Sequence, residues 1–177
     1  VQDECSSDKL AKIDDAHTRI DTLITNLLRL AREGEAVSER KPVDLTQVID
    51  ASWSHVETAD ATLHVEVDDT VRADKSRLQQ VFENLIRNAV EHGGDAVTVR
   101  SGALHDGFYI ADDGPGIPPS DRDSVFEVGN SRVTDGTGFG LNIVKQIVEA
   151  HGWELTLTES VTGGARFEVH DVAAVSS

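Results

Sequence analysis

At 177 residues, with 38% of them hydrophobic and charges of both signs, the chain is long enough to fold around one sizeable core. Its 32 acidic side chains outnumber 16 basic ones, giving a formal net charge of −16 and a pI near 4.6, which argues against a nucleic-acid or anionic-membrane surface. One cysteine, Cys5, excludes an internal disulfide and a thiolate metal cluster, and no apolar run reaches membrane-spanning length.

The N-terminus shows no signal-peptide pattern, and the composition fits a cytoplasmic protein. The opening Val1-Gln2-Asp3-Glu4 lacks an initiator Met and reads as a piece of something longer, whose sensor or membrane part lies elsewhere. The acid-rich, lysine-poor balance also resembles that of proteins adapted to high salt. From Leu10 to Ala31, apolar or small positions recur at Leu10, Ile13, His17, Ile20, Ile24, Leu27 and Ala31, in steps of three and four. That is the seam of a bundle helix, which one helix cannot bury alone, so it calls for a second copy of this chain; the plain alternative is a terminal helix lying on the main domain. Gly34 supplies a stop, and SERKP with Pro42 reads as a hinge.

Leu45 to Val56 reads as a helix and Thr62 to Val67 alternates as a strand. Asp74 to His92 is a long helix, capped by Asp74 and stopped by Gly93-Gly94. Strand-like runs follow at Ala96 to Arg100 and Phe108 to Ala111, then a loop rich in Gly and Pro. A helix from Gly140 to Ala150 precedes two strands, WELTLT and ARFEV, joined through Gly163-Gly164. Together these elements indicate an α+β fold, a two-layer α/β sandwich whose mixed sheet is covered on one face by helices. It occupies 42–177, with the bundle helix and hinge in 1–41.

Three stretches carry candidate chemistry. In FENLIRNAVEH, Asn84 and Asn88 are four apart and share a flank of the long helix, at the border of an apolar stripe. A neutral amide oxygen there suits a hard cation or a phosphate, although two solvated helix residues would read the same way. In ADDGPGIPP, Asp112 and Asp113 end a strand before Gly114-Pro115-Gly116. A carboxylate so placed would accept from an exocyclic amine such as that of adenine and repel a keto oxygen; the plain alternative is an acidic turn. In DGTGFGL, Gly136, Gly138 and Gly140 precede a helix start, where backbone amides attract anions. The spacing is not that of a dinucleotide fingerprint, and no Gly-Lys dipeptide makes it a P-loop.

In order, N-x-x-x-N-A-x-E-H, D-x-G-x-G-I, F-E and G-T-G-F-G-L resemble the ATP-binding catalytic domain of sensor histidine kinases, whose Bergerat-type fold is shared with DNA gyrase and the MutL ATPases. The likeness runs from about Pro42 to the C-terminus. Asp8 to Glu33 is similar to the second helix of the kinase dimerisation hairpin, and NAVEHGG with DDGPGIPP and DGTGFGL resembles kinases of salt-loving archaea. The resemblance implies ATP and Mg²⁺ as ligands. It gives Asn88 the Mg²⁺, with Asn84 as a nearby polar contact, and Asp112 the adenine amine. Gly114, Gly116 and Ile117 would shape that edge of the pocket. Phe126 would open a mobile lid over roughly Glu127 to Thr137, and Gly136, Thr137, Gly138, Gly140 and Leu141 would hinge it and bring amides to the phosphates.

In the gyrase and MutL group the position matching Asn84 is a glutamate that activates water. An amide cannot serve as that base, so the residue favours transfer to a protein over hydrolysis. Adjacent Glu83 faces another way. Two departures stand out. His17 is the one histidine of seven within the bundle segment, yet it lies in the seam, followed by Thr18 and Arg19, so the phosphoacceptor helix is expected upstream of this chain. Glu91 stands where many relatives carry Lys or Arg, leaving Arg132, and after it Lys145, as candidate cations for the phosphates, although two solvated charges would read the same way. The implied output is phosphoryl transfer to a histidine and onward to a response regulator, in a homodimer that carries an upstream sensor. The alternative is a nucleotide-sensing, dimerising module without transfer.

Overall fold

A computed structural model describes residues 39–94, 96–127 and 140–175. The bundle segment from Leu10 to Ala31 lies outside the described residues, as do Arg132, Gly136, Thr137 and Gly138. In chain order the elements are β1 (Lys41–Asp44), α1 (Leu45–His55), β2 (Thr62–Glu66), β3 (Thr70–Ala73), α2 (Lys75–Gly93), β4 (Thr98–Leu104) and β5 (Gly107–Asp112). A 3₁₀ turn (Ser124–Phe126), α3 (Gly140–Ala150), β6 (Glu154–Glu159) and β7 (Ala165–His170) complete the described fold.

The main sheet has the order β2-β4-β5-β7-β6, with β2 and β4 parallel and every other pair antiparallel. It is the mixed sheet the sequence indicated. On β7, Ala165, Phe167 and Val169 are buried, while Arg166, Glu168 and His170 alternate onto the other face. The buried side meets α1 through Leu45, Val48 and Ile49, and α2 through Leu78, Val81, Phe82, Leu85 and Ile86. Ile143, Val144, Ile147 and Val148 supply the α3 part of that layer. Phe108 sits near the centre, 5.4 Å from the Phe82 ring and 6.4 Å edge-on to Trp153. Burying a Leu, Ile or Phe side chain in this way is worth roughly 1.5–3 kcal/mol each, which fixes α2 on the sheet far more firmly than helix propensity does.

Two features differ from the sequence reading. Pro42 is not in a hinge but in β1, which pairs antiparallel with β3 in a small second sheet. Proline is tolerated there because β1 is an edge strand, and the opposite residue, Arg72, donates its N–H away from it to Ala173. The strand after α2 also runs on through Ser101, Gly102 and Ala103 to Leu104, forming a hairpin with β5 around His105-Asp106. Small residues at that point carry no alternation to read. The cap and stop of α2 follow the sequence: Asp74 accepts from the Ser76 and Arg77 amides at 3.0 and 3.3 Å, and Gly94 ends the helix.

A buried histidine clasps two of the helices. His151 follows α3 and is 2% exposed; its Nδ1 donates to the Ile147 carbonyl at 2.8 Å, and its Nε2 accepts from the Asp74 amide at 3.1 Å. Its ring stacks on Trp153 at 4.5 Å. The end of α3 is thereby pinned to the cap of α2. Burial pushes the His151 pKa below its ordinary value, so the fold holds the ring neutral while the unfolded chain protonates it more readily. This group's contribution is complete above the usual histidine range and is lost as the pH falls from there through the lowered folded value. Urea unfolding should show stability falling between about pH 7.5 and 5.5, and His151→Ala should remove that part of the slope while costing about 2–4 kcal/mol at the upper end of that range. An unchanged slope in the variant would mean another group sets it.

Candidate functional site

The end of β5, the start of β7 and one flank of α2 build the site. Asp112 is the last residue of β5 and is 8% exposed. Its Oδ1 accepts from the Gly114 amide at 2.9 Å and from the Ala165 amide at 3.2 Å. No described residue donates to Oδ2, which leaves one acceptor for an outside donor. Burial raises the Asp112 pKa, and the two amides pull against that rise by stabilising the anion. The neighbouring Asp113 works differently. Its Oδ1 accepts the Thr98 amide at 2.7 Å, fastening the start of β4, and that bond lowers its pKa. The strand's alternation thus turns one carboxylate inward and makes the other a structural tie.

The glycines flanking Asp112 permit close backbone approach. Gly116 has φ +73°, and a Cβ there would come within 2.7 Å of the Gly163 carbonyl. A Cβ on Gly164 would run into the Asp112 carbonyl and carboxylate. The DGPG loop and the β6–β7 turn therefore fit against each other only because both are bare backbone. Gly114 sits against Gly93 at the end of α2, and Ile117 packs partly buried on the core.

On α2 the two asparagines separate by environment. Asn84 is 7% exposed and its Nδ2 donates to the Gln80 carbonyl at 2.8 Å. Its Oδ1 faces Gly140, where a Cβ would sit 3.3 Å away, so the first residue of α3 approaches α2 at this amide. Asn88, one turn later, is half-buried and takes no hydrogen bond from any described residue. Its oxygen is the one that suits a cation. Glu83 is turned to α1, 3.0 Å from His55 Nδ1 and 2.9 Å from Gln79 Nε2.

Phe126 lies edge-on to Phe167 at 6.5 Å, and its carbonyl accepts from Asn142 Nδ2 at 3.0 Å, joining the 3₁₀ turn to the first turn of α3. Leu141 packs partly buried on the core beside it. Lys145 stands 5.9 Å from the Phe126 ring and 4.0 Å from Glu149, so a carboxylate already shares its charge. The structure therefore brings Asp112 and Gly114 against the end of α2 and Gly116 against the β6–β7 turn, while Asn84, further back along α2, meets Gly140, and Phe126 and Leu141 lie along the α3 side. Sequence reasoning missed Ala165 and Thr162, which fasten Asp112, and Gly164, which leaves room for it. The Gly163-Gly164 pair was readable only as a turn, because nothing local reveals that β7 lies beside β5.

The comparisons with known proteins agree with the fold. Residues 73–172 match the model of the histidine kinase-, DNA gyrase B- and HSP90-like ATPases. The signal transduction histidine-protein kinase/phosphatase MprB of Mycobacterium avium is 34% identical over 173 residues, a match covering 91% of this chain and 32% of that protein. The chain thus spans about a third of the length of the curated relatives it matches. A solved mycobacterial sensor histidine kinase MprB is 33% identical with a TM-score of 0.64, over 76% of this chain and 97% of that one. Full-length ShkA, solved in complex with AMPPNP, is 28% identical with a TM-score of 0.71, over 88% of this chain and 36% of that one. The Mycobacterium avium and Mycobacterium ulcerans relatives lend no support to the likeness with kinases of salt-loving archaea. The mixed sheet and these matches agree: the chain belongs to the histidine kinase-, gyrase- and HSP90-like ATPase family, as the ATP-binding catalytic domain of a sensor histidine kinase.

Proposed function

We infer that this chain binds ATP together with Mg²⁺ and passes the γ-phosphoryl group to a histidine on a bundle helix, for relay to an aspartate of a response regulator. The observation that carries the reading is the Asp112 carboxylate, fixed through Oδ1 by two backbone amides and left with Oδ2 for the adenine amine. A keto group in that place would face an anion and be repelled. Asn88 would hold Mg²⁺, which would supply charge neutralisation for the phosphates. Gly114, Gly116 and Ile117 form the base's edge of the pocket. Phe126 and Leu141 border the α3 side, where the helix start adds its positive end.

Transfer forms a bond from the acceptor imidazole nitrogen to the γ-phosphorus and breaks the bond to the β-phosphate oxygen, releasing ADP. The domain's contribution to that step is positioning and electrostatics. Asn84 has no basic oxygen to accept a proton from water, and the adjacent carboxylate, Glu83, is engaged with His55 and Gln79. Both features favour transfer over hydrolysis. The segment from Leu10 to Ala31 would pair two copies, and Arg132 would meet the phosphates, with Gly136, Thr137 and Gly138 at the lid's hinge. On this reading the acceptor histidine lies on a separate segment, and the domain works in the cytoplasm.

Given γ-labelled ATP and a polypeptide carrying the acceptor helix of its own full-length protein, the chain should produce acid-labile phosphohistidine. Tight ATP binding without any transfer would make it a nucleotide-sensing module instead. Asp112→Asn should weaken ATP binding about tenfold, because the amide returns one donor where an acceptor is needed. Asn88→Ala should abolish the Mg²⁺-dependent part of the affinity and leave Mg²⁺-free binding as it was. Calorimetric titration reads both, and unchanged affinities would overturn these site assignments.

A further inference from the structure

The β6–β7 turn alters the hydrogen bonding of Asp112 in a way the sheet alone does not require. β5 and β7 run in register as far as Ala111 opposite Arg166, so the next pair is Asp112 opposite Ala165. An unbroken antiparallel ladder would send the Ala165 N–H to the Asp112 carbonyl. Instead that N–H donates to the carboxylate at 3.2 Å, and the carbonyl accepts from the Thr162 hydroxyl at 3.3 Å. Thr162 is itself restrained. Its Oγ1 lies 2.9 Å from Ser160 Oγ, and its N–H donates to the same hydroxyl at 3.4 Å. The turn closes through the Ser160 amide to the Gly164 carbonyl at 2.8 Å and the Gly163 amide to the Ser160 carbonyl at 2.9 Å.

We propose that Thr162, held by Ser160, is a positioning residue for base selection: by satisfying the Asp112 carbonyl it frees the Ala165 amide to orient the carboxylate. The inference rests on the reading of Asp112 as the adenine contact. A carbonyl at the end of a buried strand requires a donor. Without the Thr162 hydroxyl, the donor already facing it is the Ala165 N–H, which would return to the ordinary ladder. Asp112 would then keep only the Gly114 amide and rotate more freely. A carboxylate aimed loosely still attracts donors, but it separates a 6-amino from a 6-keto purine less well.

The test titrates the chain and its variants with ATP and with ITP, which carries a keto group at that position, alongside a melting temperature for each. Thr162→Val should lower the ATP-to-ITP affinity ratio about tenfold, mainly through weaker ATP binding, and Thr162→Ser should restore it. Ser160→Ala should lower the ratio by a smaller factor, and it carries the test if Thr162→Val does not fold. A variant that loses affinity for both nucleotides equally, or keeps the wild-type ratio, overturns the role given to Thr162. Asp112→Asn separates the two claims. If it abolishes the preference while Thr162→Val retains it, the positioning role alone fails; if it leaves the preference intact, the adenine reading fails first.

Discussion

The hydrogen bond from the Ala165 amide to the Asp112 carboxylate joins residues 53 apart in the chain, and the site depends on it. It exists because β7, not a sequence neighbour, lies beside β5, with Phe167 and Val169 buried against the helices. Sheet order therefore sets the direction of a single oxygen. Bare backbone at Gly116 and Gly164 then lets the loop after β5 and the turn before β7 close on each other. A side chain on either would push apart the two amide donors that hold the anion.

The electrostatics are equally local. A chain of net charge −16 offers little general attraction to a polyphosphate, so any such ligand must be held by nearby groups. Asn88 provides an oxygen without adding a negative charge, and two nearby carboxylates are already engaged: Asp113 with the Thr98 amide, Glu83 with His55 and Gln79. In the proposed arrangement Asp112 turns its free oxygen toward the base, away from where phosphates would lie against α2 and α3. Placement of charge, more than its sum, makes the domain suitable for ATP.

Much of this was legible in the sequence, because it rests on local rules. Asp74 caps α2 and Gly94 ends it; the apolar stripe from Leu78 to Ala89 faces the core; Asp112 ends a strand before glycines. Hidden features are those that depend on which strands become neighbours. Thr162 reads as an ordinary turn residue until β7 is seen beside β5, and His151 reads as a helix-end histidine until its Nε2 is found against the Asp74 amide. Pro42 misled for a related reason: proline after a run of charged residues reads as a hinge, whereas an edge strand accepts it once β3 is its partner.

The central claim is that the Asp112 carboxylate, held by two amides, is the group that reads the base. Amide NMR of the uniformly labelled chain tests it directly, because the Gly114 and Ala165 N–H resonances report on that carboxylate. Saturating ATP should shift both resonances, and ITP at equal occupancy should shift them markedly less. Full ATP binding with both amides unmoved would contradict the account.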